Sequence, residues 1–139
     1  MIEEMTRAPE IKALILEWYR RLASGEMVAA AEDVLSREQG FVAIGTDPAE
    51  WFGDRADLIG AYSETAKPGP PEIIVRQIEA YREGTVGLAA DTVILKRPGK
   101  SKIPMRHTFV LHQEGGEWQV VHAHCSFPVP EESTAPAEA

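Results

Sequence analysis

In the first half of the chain, apolar residues recur at steps of three and four. Ile11, Leu14, Ile15, Trp18 and Leu22 would share one face of a helix over about 7–24. Thr6 is placed to cap it, Pro9 is tolerable in its first turn, and Ser24-Gly25 ends it. A shorter helix is predicted over 26–36, with Met27, Ala30, Ala31, Val34 and Leu35 inward. Phe41–Ile44 reads as a short strand and 45–48 as a loop. Trp51-Phe52-Gly53 leads into a third helix over about 54–66, with Leu58, Ile59 and Tyr62 on its stripe. The Pro-rich run 67–71 is irregular.

The period then changes. Runs 72–82, 85–97, 103–114 and 117–127 are rich in β-branched residues and are separated by Glu83-Gly84, Pro98-Gly99 and Gly115-Gly116. Consecutive strands with short turns predict an antiparallel meander. Helices followed by a meander give an α+β fold, with the helices on one face of a sheet. One domain is expected over 1–130. The Pro/Glu/Ser/Thr/Ala tail is too poor in apolar residues to pack, and 131–139 are expected to be disordered.

The register of the last hairpin decides which side chains share a face. A two-residue loop, Gly115-Gly116, pairs residues whose numbers sum to 231; a three-residue loop with a bulge gives 230. The second separates the faces better and is preferred. It puts Met105, His107, Phe109, Leu111, Gln119, Val121, Ala123, Cys125 and Phe127 on an inner face. Arg106, Thr108, Val110, His112, Trp118, Val120, His122, His124 and Ser126 go outward.

Composition narrows the function classes. The chain has 139 residues, one domain's length, with 14 Lys plus Arg against 22 Asp plus Glu, a net charge of −8. That balance argues against non-specific nucleic-acid binding and anionic membranes. No stretch is apolar enough to span a membrane or serve as a secretory signal, so a cytoplasmic protein is expected. The single Cys125 allows no internal disulfide and no Cys-rich zinc site. All four histidines fall within residues 107–124, which first suggests a metal site.

The run Gly116-Glu-Trp-Gln-Val-Val-His-Ala-His-Cys-Ser126 resembles the terminal strand of the NTF2-like superfamily. It is similar to that strand in the association domain of calcium/calmodulin-dependent kinase II, and small bacterial SnoaL-like proteins share the pattern. Ala43-Ile-Gly-Thr-Asp-Pro-Ala-Glu-Trp-Phe-Gly53 resembles the loop before the third helix of the bacterial proteins. The resemblance covers roughly residues 7–130. It implies a cone: a bent sheet wrapped around the first helix, a pocket in the open end, and a homodimer through the convex face. It implies no single activity, because the superfamily includes isomerases, cyclases, hydrolases and non-enzymes.

The candidate residues follow from the faces and the resemblance. Asp47 stands where the more distantly similar ketosteroid isomerases carry a base, and an Asp before Pro is also a common turn former. Their oxyanion-donating acid has no counterpart, since residues 103–111 contain no Asp or Glu, and their tyrosine falls near Trp18 or on Tyr19. His107 is the polar group at the centre of the inner face, an acid, base or ligand donor, or a core histidine bonded to backbone. Trp18, Tyr19, Trp51, Phe109, Val121, Cys125 and Phe127 are expected to line the pocket. Cys125 has no activating neighbour and reads as a wall residue. Arginines that bind carboxylates in the kinase domain are replaced, by position, with Phe109 and Cys125. Arg106, His112, Trp118, His122 and His124 are assigned to a dimer face, with no metal, because no carboxylate stands across from the His-x-His pair. Asp91, the acid of the run 85–97, falls on its more polar parity and is set aside.

The leading expectation is a binding module with a mostly apolar pocket for a small, largely neutral molecule, needing no cofactor. The alternatives are an isomerase- or cyclase-type enzyme using Asp47 as base with His107 as acid or orienting donor, and a non-enzymatic oligomerisation domain.

Overall fold

A computed structural model describes residues 4–131. Three helices, α1 (Pro9–Ala23), α2 (Met27–Val34) and α3 (Arg55–Ala66), pack on a seven-stranded sheet. Its strands are β1 (Thr6–Arg7), β2 (Val42–Ile44), β3 (Trp51–Phe52), β4 (Glu72–Glu83), β5 (Val86–Lys96), β6 (Ile103–Glu114) and β7 (Glu117–Ser126). The spatial order is β1-β4-β5-β6-β7-β2-β3, a curled sheet whose edges do not close. The fold is of the α+β class expected from the sequence, with helices packed on a curled antiparallel meander. Residues 132–139, most of the expected disordered tail, lie outside the described residues.

The helices and the meander fall where the periodicity puts them, and the differences lie at the edges. Thr6 is not the cap of α1. It pairs with Arg82 in β1, and Ala8 stands at the cap position with no side-chain bond. The Ala8 N–H instead donates to Ala80 O at 3.0 Å, so the chain enters α1 straight from the sheet edge, with Pro9 in the first turn. Trp51-Phe52 is a strand rather than a lead-in, pairing antiparallel with β2. β2 itself runs parallel to β7, so the sheet is mixed. α3 begins as a capped helix should, with the Asp54 carboxylate accepting from Ala56 N at 2.7 Å.

The β6–β7 hairpin corrects the preferred register. Gly115 and Gly116 both have positive φ (60° and 82°), so the loop is the two-residue type and closes on the pair Glu114–Glu117. Pair numbers sum to 231 as far as Leu111–Val120, then to 232 from Val110–His122 onward, leaving Val121 as an unpaired bulge residue. The bulge reverses the parity of β7 partway along. Between the turn and the bulge, Trp118 and Val120 point inward and are buried at 7% and 2% exposure. Beyond it, Ala123 and Cys125 join the inner face with His107 and Phe109. Trp118 therefore leaves the expected dimer face for the core, and Val121 leaves the expected pocket.

α1 lies along the concave face. Ile11 and Ile15 are fully buried, each worth about 1.5–3 kcal/mol of transfer free energy. The helix sits so close to β5 that a Cβ on Gly87 would lie 2.3 Å from Ile11 Cδ1. Here the glycine is required by approach rather than by backbone angle. Past this contact the helix and sheet diverge and a cavity opens.

Candidate functional site

The cavity measures about 530 Å³. α1 contributes Trp18 and Tyr19, α3 contributes Leu58 and Tyr62, and the inner faces of β5, β6 and β7 supply much of the remaining wall. Its apolar lining includes Leu22, Phe52, Val93, Leu95, Met105 and Phe109. Trp18 and Tyr62 lean together with ring centroids 5.8 Å apart.

At the α1 side of this cavity three polar side chains converge from three elements. Asp91 on β5 and His107 on β6 are directly paired across the ladder, and Tyr19 on α1 comes down over both. The Tyr19 hydroxyl donates to Asp91 Oδ2 at 2.5 Å. His107 Nδ1 lies 2.8 Å from Asp91 Oδ1 and 3.1 Å from the Tyr19 oxygen. The side chain of Asp91 is fully buried, where a lone carboxylate would cost several kcal/mol. Two donors make it tenable.

The same geometry assigns the histidine tautomer. The Tyr19 proton is spent on Asp91, so both atoms facing His107 Nδ1 are acceptors. Nδ1 must carry a hydrogen, and in the neutral ring Nε2 keeps its lone pair. No hydrogen bond within the protein uses Nε2 among the described residues, and His107 lines the cavity. Phe109 stacks on the imidazole at 12° and 5.8 Å, which limits its rotation. The arrangement is an oriented base or acid at the wall of a largely apolar chamber.

Tyr19 cannot itself act as the base. Burial, reinforced by the Asp91 charge, pushes its phenol well above the ordinary value and keeps it neutral. Burial likewise raises Tyr62, whose hydroxyl has no hydrogen-bond partner among the described residues and is available as a donor to a ligand. Burial raises the Cys125 thiol too, in keeping with a wall residue rather than a nucleophile.

Of the residues assigned to the pocket from sequence, Trp18, Tyr19, His107, Phe109 and Cys125 line it. Three others do not. Trp51 is 68% exposed on the edge strand β3, Phe127 lies beyond the end of β7, and Val121 is the bulge residue. Asp47 is also outside the cavity. Its Oδ1 accepts from Ala49 N at 2.9 Å in an exposed turn, so the turn-forming role is the one seen. The acid that enters the site is Asp91, which parity had set aside. The even positions of β5 look more apolar because they carry Val86, Leu88 and Ile94, yet Val86 and Leu88 are 50% and 39% exposed on the outer face. The inner positions are Gly87, Ala89, Asp91 and Val93, made small where α1 presses close. A single acid surrounded by small inward residues was the available signal.

None of the other histidines bonds to His107. His122 Nδ1 donates to Val42 O at 3.0 Å, and His124 pairs with Thr108 on β6 and also borders the cavity. Arg106 is exposed on the outer face. His112 Nδ1 lies 3.5 Å from Glu38 and 3.6 Å from Glu114. These three residues form a group whose donor atoms lie within 4.8 Å of one another, the kind of set that could hold a metal. Ser36 already donates to Glu114 at 2.7 Å, and none of the three lines the cavity.

Comparison with known proteins agrees with this architecture. The family model described as the SnoaL-like domain matches residues 11–130. The chain belongs to the SnoaL-like domain family. An NTF2-like protein of unknown function from Pseudomonas putida KT2440 is 20% identical, with 92% of this chain and 94% of that one covered at a TM-score of 0.79. A candidate calcium/calmodulin-dependent protein kinase II association domain from Xanthomonas campestris is 22% identical over 91% and 90%, at 0.73. A candidate dehydratase of the NTF2-like family from Streptomyces avermitilis is 11% identical over 88% and 96%, at 0.75. At these identities the likeness of this SnoaL-like domain to its neighbours is one of fold. No curated protein matches the chain. Among the described residues no helix is long and apolar enough to cross a membrane.

Proposed function

We propose that this SnoaL-like domain binds a small, largely apolar molecule and performs general acid–base chemistry on it. The reaction would be of the isomerase or dehydratase type, at a carbon next to a carbonyl. One observation carries the reading: His107 is held through Nδ1 by the buried Asp91, leaving Nε2 for the cavity. In this scheme Nε2 takes the proton from the acidic C–H, Asp91 stabilises the imidazolium that forms, and Tyr19 holds Asp91 in place. The Tyr62 hydroxyl is the available donor to the carbonyl oxygen as negative charge develops there. The candidate dehydratase of the same fold is consistent with such chemistry.

The test is proton exchange. Aryl ketones and β-hydroxy ketones small enough for the cavity are incubated in deuterated water with wild type and H107Q, and isotope uptake is followed by NMR. Exchange catalysed by wild type and reduced at least about a hundredfold in H107Q is the expected result. Panel members that bind in the cavity yet exchange no faster than in buffer would leave a binding domain and overturn the catalytic reading.

The outer face supports a second expectation, a homodimer. Ile74, Val86 and Leu88 are 53%, 50% and 39% exposed on the outer side of β4 and β5, Ile74 toward one end of the strand pair and the other two toward the opposite end. Sedimentation velocity should give a dimer at micromolar concentration, and I74E/L88E should shift it to monomer. A wild-type monomer across that range would refute it.

A further inference from the structure

The inner residues of β5 come in a meaningful order. After Asp91 the same face presents Val93 and then Leu95, both cavity residues, and Arg97 follows one residue past the end of the strand. Six residues of strand span about 20 Å. A long side chain at the far end can reach back to leave space for a molecule of roughly half that length. The site thus runs from a proton-transfer group, along an apolar wall, to a cation.

The loop carrying Arg97 forms part of the mouth. It faces the 67–71 loop, where a Cβ on Gly69 would sit 3.7 Å from Pro98 Cγ. Lys100 on the same loop also lines the cavity. The cavity-lining carboxylates are Glu50 and Glu64; among the described residues only Glu64 has a cationic partner, and the Glu50 charge remains in the field of the cavity. Glu64 pairs with Lys67 at 2.8 Å, and Glu50 Oε1 accepts the Asp47 N–H at 2.8 Å. The side chains of Arg97 and Lys100 enter no ion pair or hydrogen bond among the described residues. At the chamber wall the Cys125 thiol is raised by burial and then by the Glu50 charge, and the Arg97 charge opposes both.

We infer that the natural ligand is an amphipathic monoanion, an apolar or aromatic body ending in a carboxylate. The carboxylate lies at Arg97 and Lys100 in the mouth, and the opposite end reaches His107. This deepens the acid–base reading, because it names the substrate class of the same site. It also changes the neutral-ligand expectation from the sequence. The positions aligned with the kinase-domain arginines are indeed apolar, Phe109 and Cys125, but the cations stand on a different loop.

The test uses ω-phenylalkanoates from phenylacetate to phenylhexanoate and the corresponding primary amides, titrated calorimetrically into wild type and R97Q/K100Q. Both positions are exposed, so the double variant should fold as wild type does. Two exposed ion contacts, each worth a few-fold, predict that the acids bind about tenfold more tightly than their amides. The preference should shrink as salt rises and vanish in R97Q/K100Q, with amide affinity unchanged. Equal binding of acids and amides, or a preference that survives in R97Q/K100Q, overturns the monoanion inference while leaving the acid–base reading in place. Failure of both series to bind at millimolar concentration also overturns the monoanion inference, and the acid–base reading is then decided by proton exchange alone. Retained charge preference with no proton exchange would remove only the acid–base reading.

Discussion

Replacing Asp91 by Asn keeps the shape of the buried group and removes its charge, which isolates what the carboxylate does. The native carboxylate accepts two bonds, from Tyr19 at 2.5 Å and from His107 at 2.8 Å. An amide can accept at its oxygen only. With the oxygen toward Tyr19, the NH₂ faces His107 Nδ1, which must give up its hydrogen; the ring then carries its proton on Nε2. The opposite orientation leaves the Tyr19 hydrogen without an acceptor in a buried site, costing about 1–3 kcal/mol, so the first arrangement should win. Each of the two charge-assisted bonds loses about 1 kcal/mol on becoming neutral, and relief of the buried charge returns part of this. Net destabilisation of about 0–2 kcal/mol by urea unfolding is expected. Asp91→Ala orphans both donors and should cost about 2–5 kcal/mol. The decisive assay is nitrogen-15 NMR of the His107 ring at a pH where it is neutral. The unprotonated signal should belong to Nε2 in wild type and to Nδ1 in D91N. Turnover of any substrate found should fall at least about a hundredfold, since the lone pair no longer faces the cavity. An unchanged tautomer in D91N would refute the orientation argument and the acid–base role built on it.

Gly87→Ala should destabilise the fold by about 1–3 kcal/mol, because the new methyl meets the buried Ile11 Cδ1 at 2.3 Å. Ile11→Val removes that atom, so the double mutant should be more stable than the sum of the single effects predicts; strict additivity in urea unfolding would refute the contact. The buried Tyr19 and the half-buried Tyr62 are raised above their ordinary values by the fold, whereas in the unfolded chain they ionise near pH 10. Folded values raised above unfolded ones contribute stability that is full below pH 10 and is lost as pH rises beyond it. Their phenolate absorbance should therefore appear together with the loss of circular dichroism, and full tyrosine ionisation in a still-folded protein would contradict this. Swapping His107 for Gln should leave global stability within about 2 kcal/mol while abolishing proton exchange, and a loss of folding would show instead that the histidine is chiefly a core residue.

Where local pattern and tertiary demand agree, the sequence was legible. α1 shows its apolar stripe, and the four meander strands are punctuated by glycines with positive φ. His107, Phe109 and Cys125 could be placed on the inner face because alternation along β6 and the far part of β7 is regular. Trp118 and Val121 could not, because a bulge shifts parity by one residue and leaves no mark in composition. Asp91 was misread for a different reason. Alternation reports which face is apolar, not which face is inside, and on β5 the outer face carries the larger aliphatic residues. Asp47 was misplaced because position along a resembling motif says nothing of whether the turn tips its side chain into the cavity or, as here, onto its own backbone.

By itself, then, the sequence determined the three helices, the strand before the third and the four-strand meander, the α+β class and the central histidine, since these rest on period, turn chemistry and local conformational preference; the two-residue edge strands β1 and β3 it did not. The partners of that histidine were decided only by the tertiary structure. Tyr19, Asp91 and His107 are 72 and 16 residues apart, and they meet because α1 is drawn onto the small residues of β5 and the curled sheet brings β5 and β6 beneath it. A buried carboxylate needs donors wherever packing happens to supply them, and that requirement is met in three dimensions, with no period along the chain to announce it.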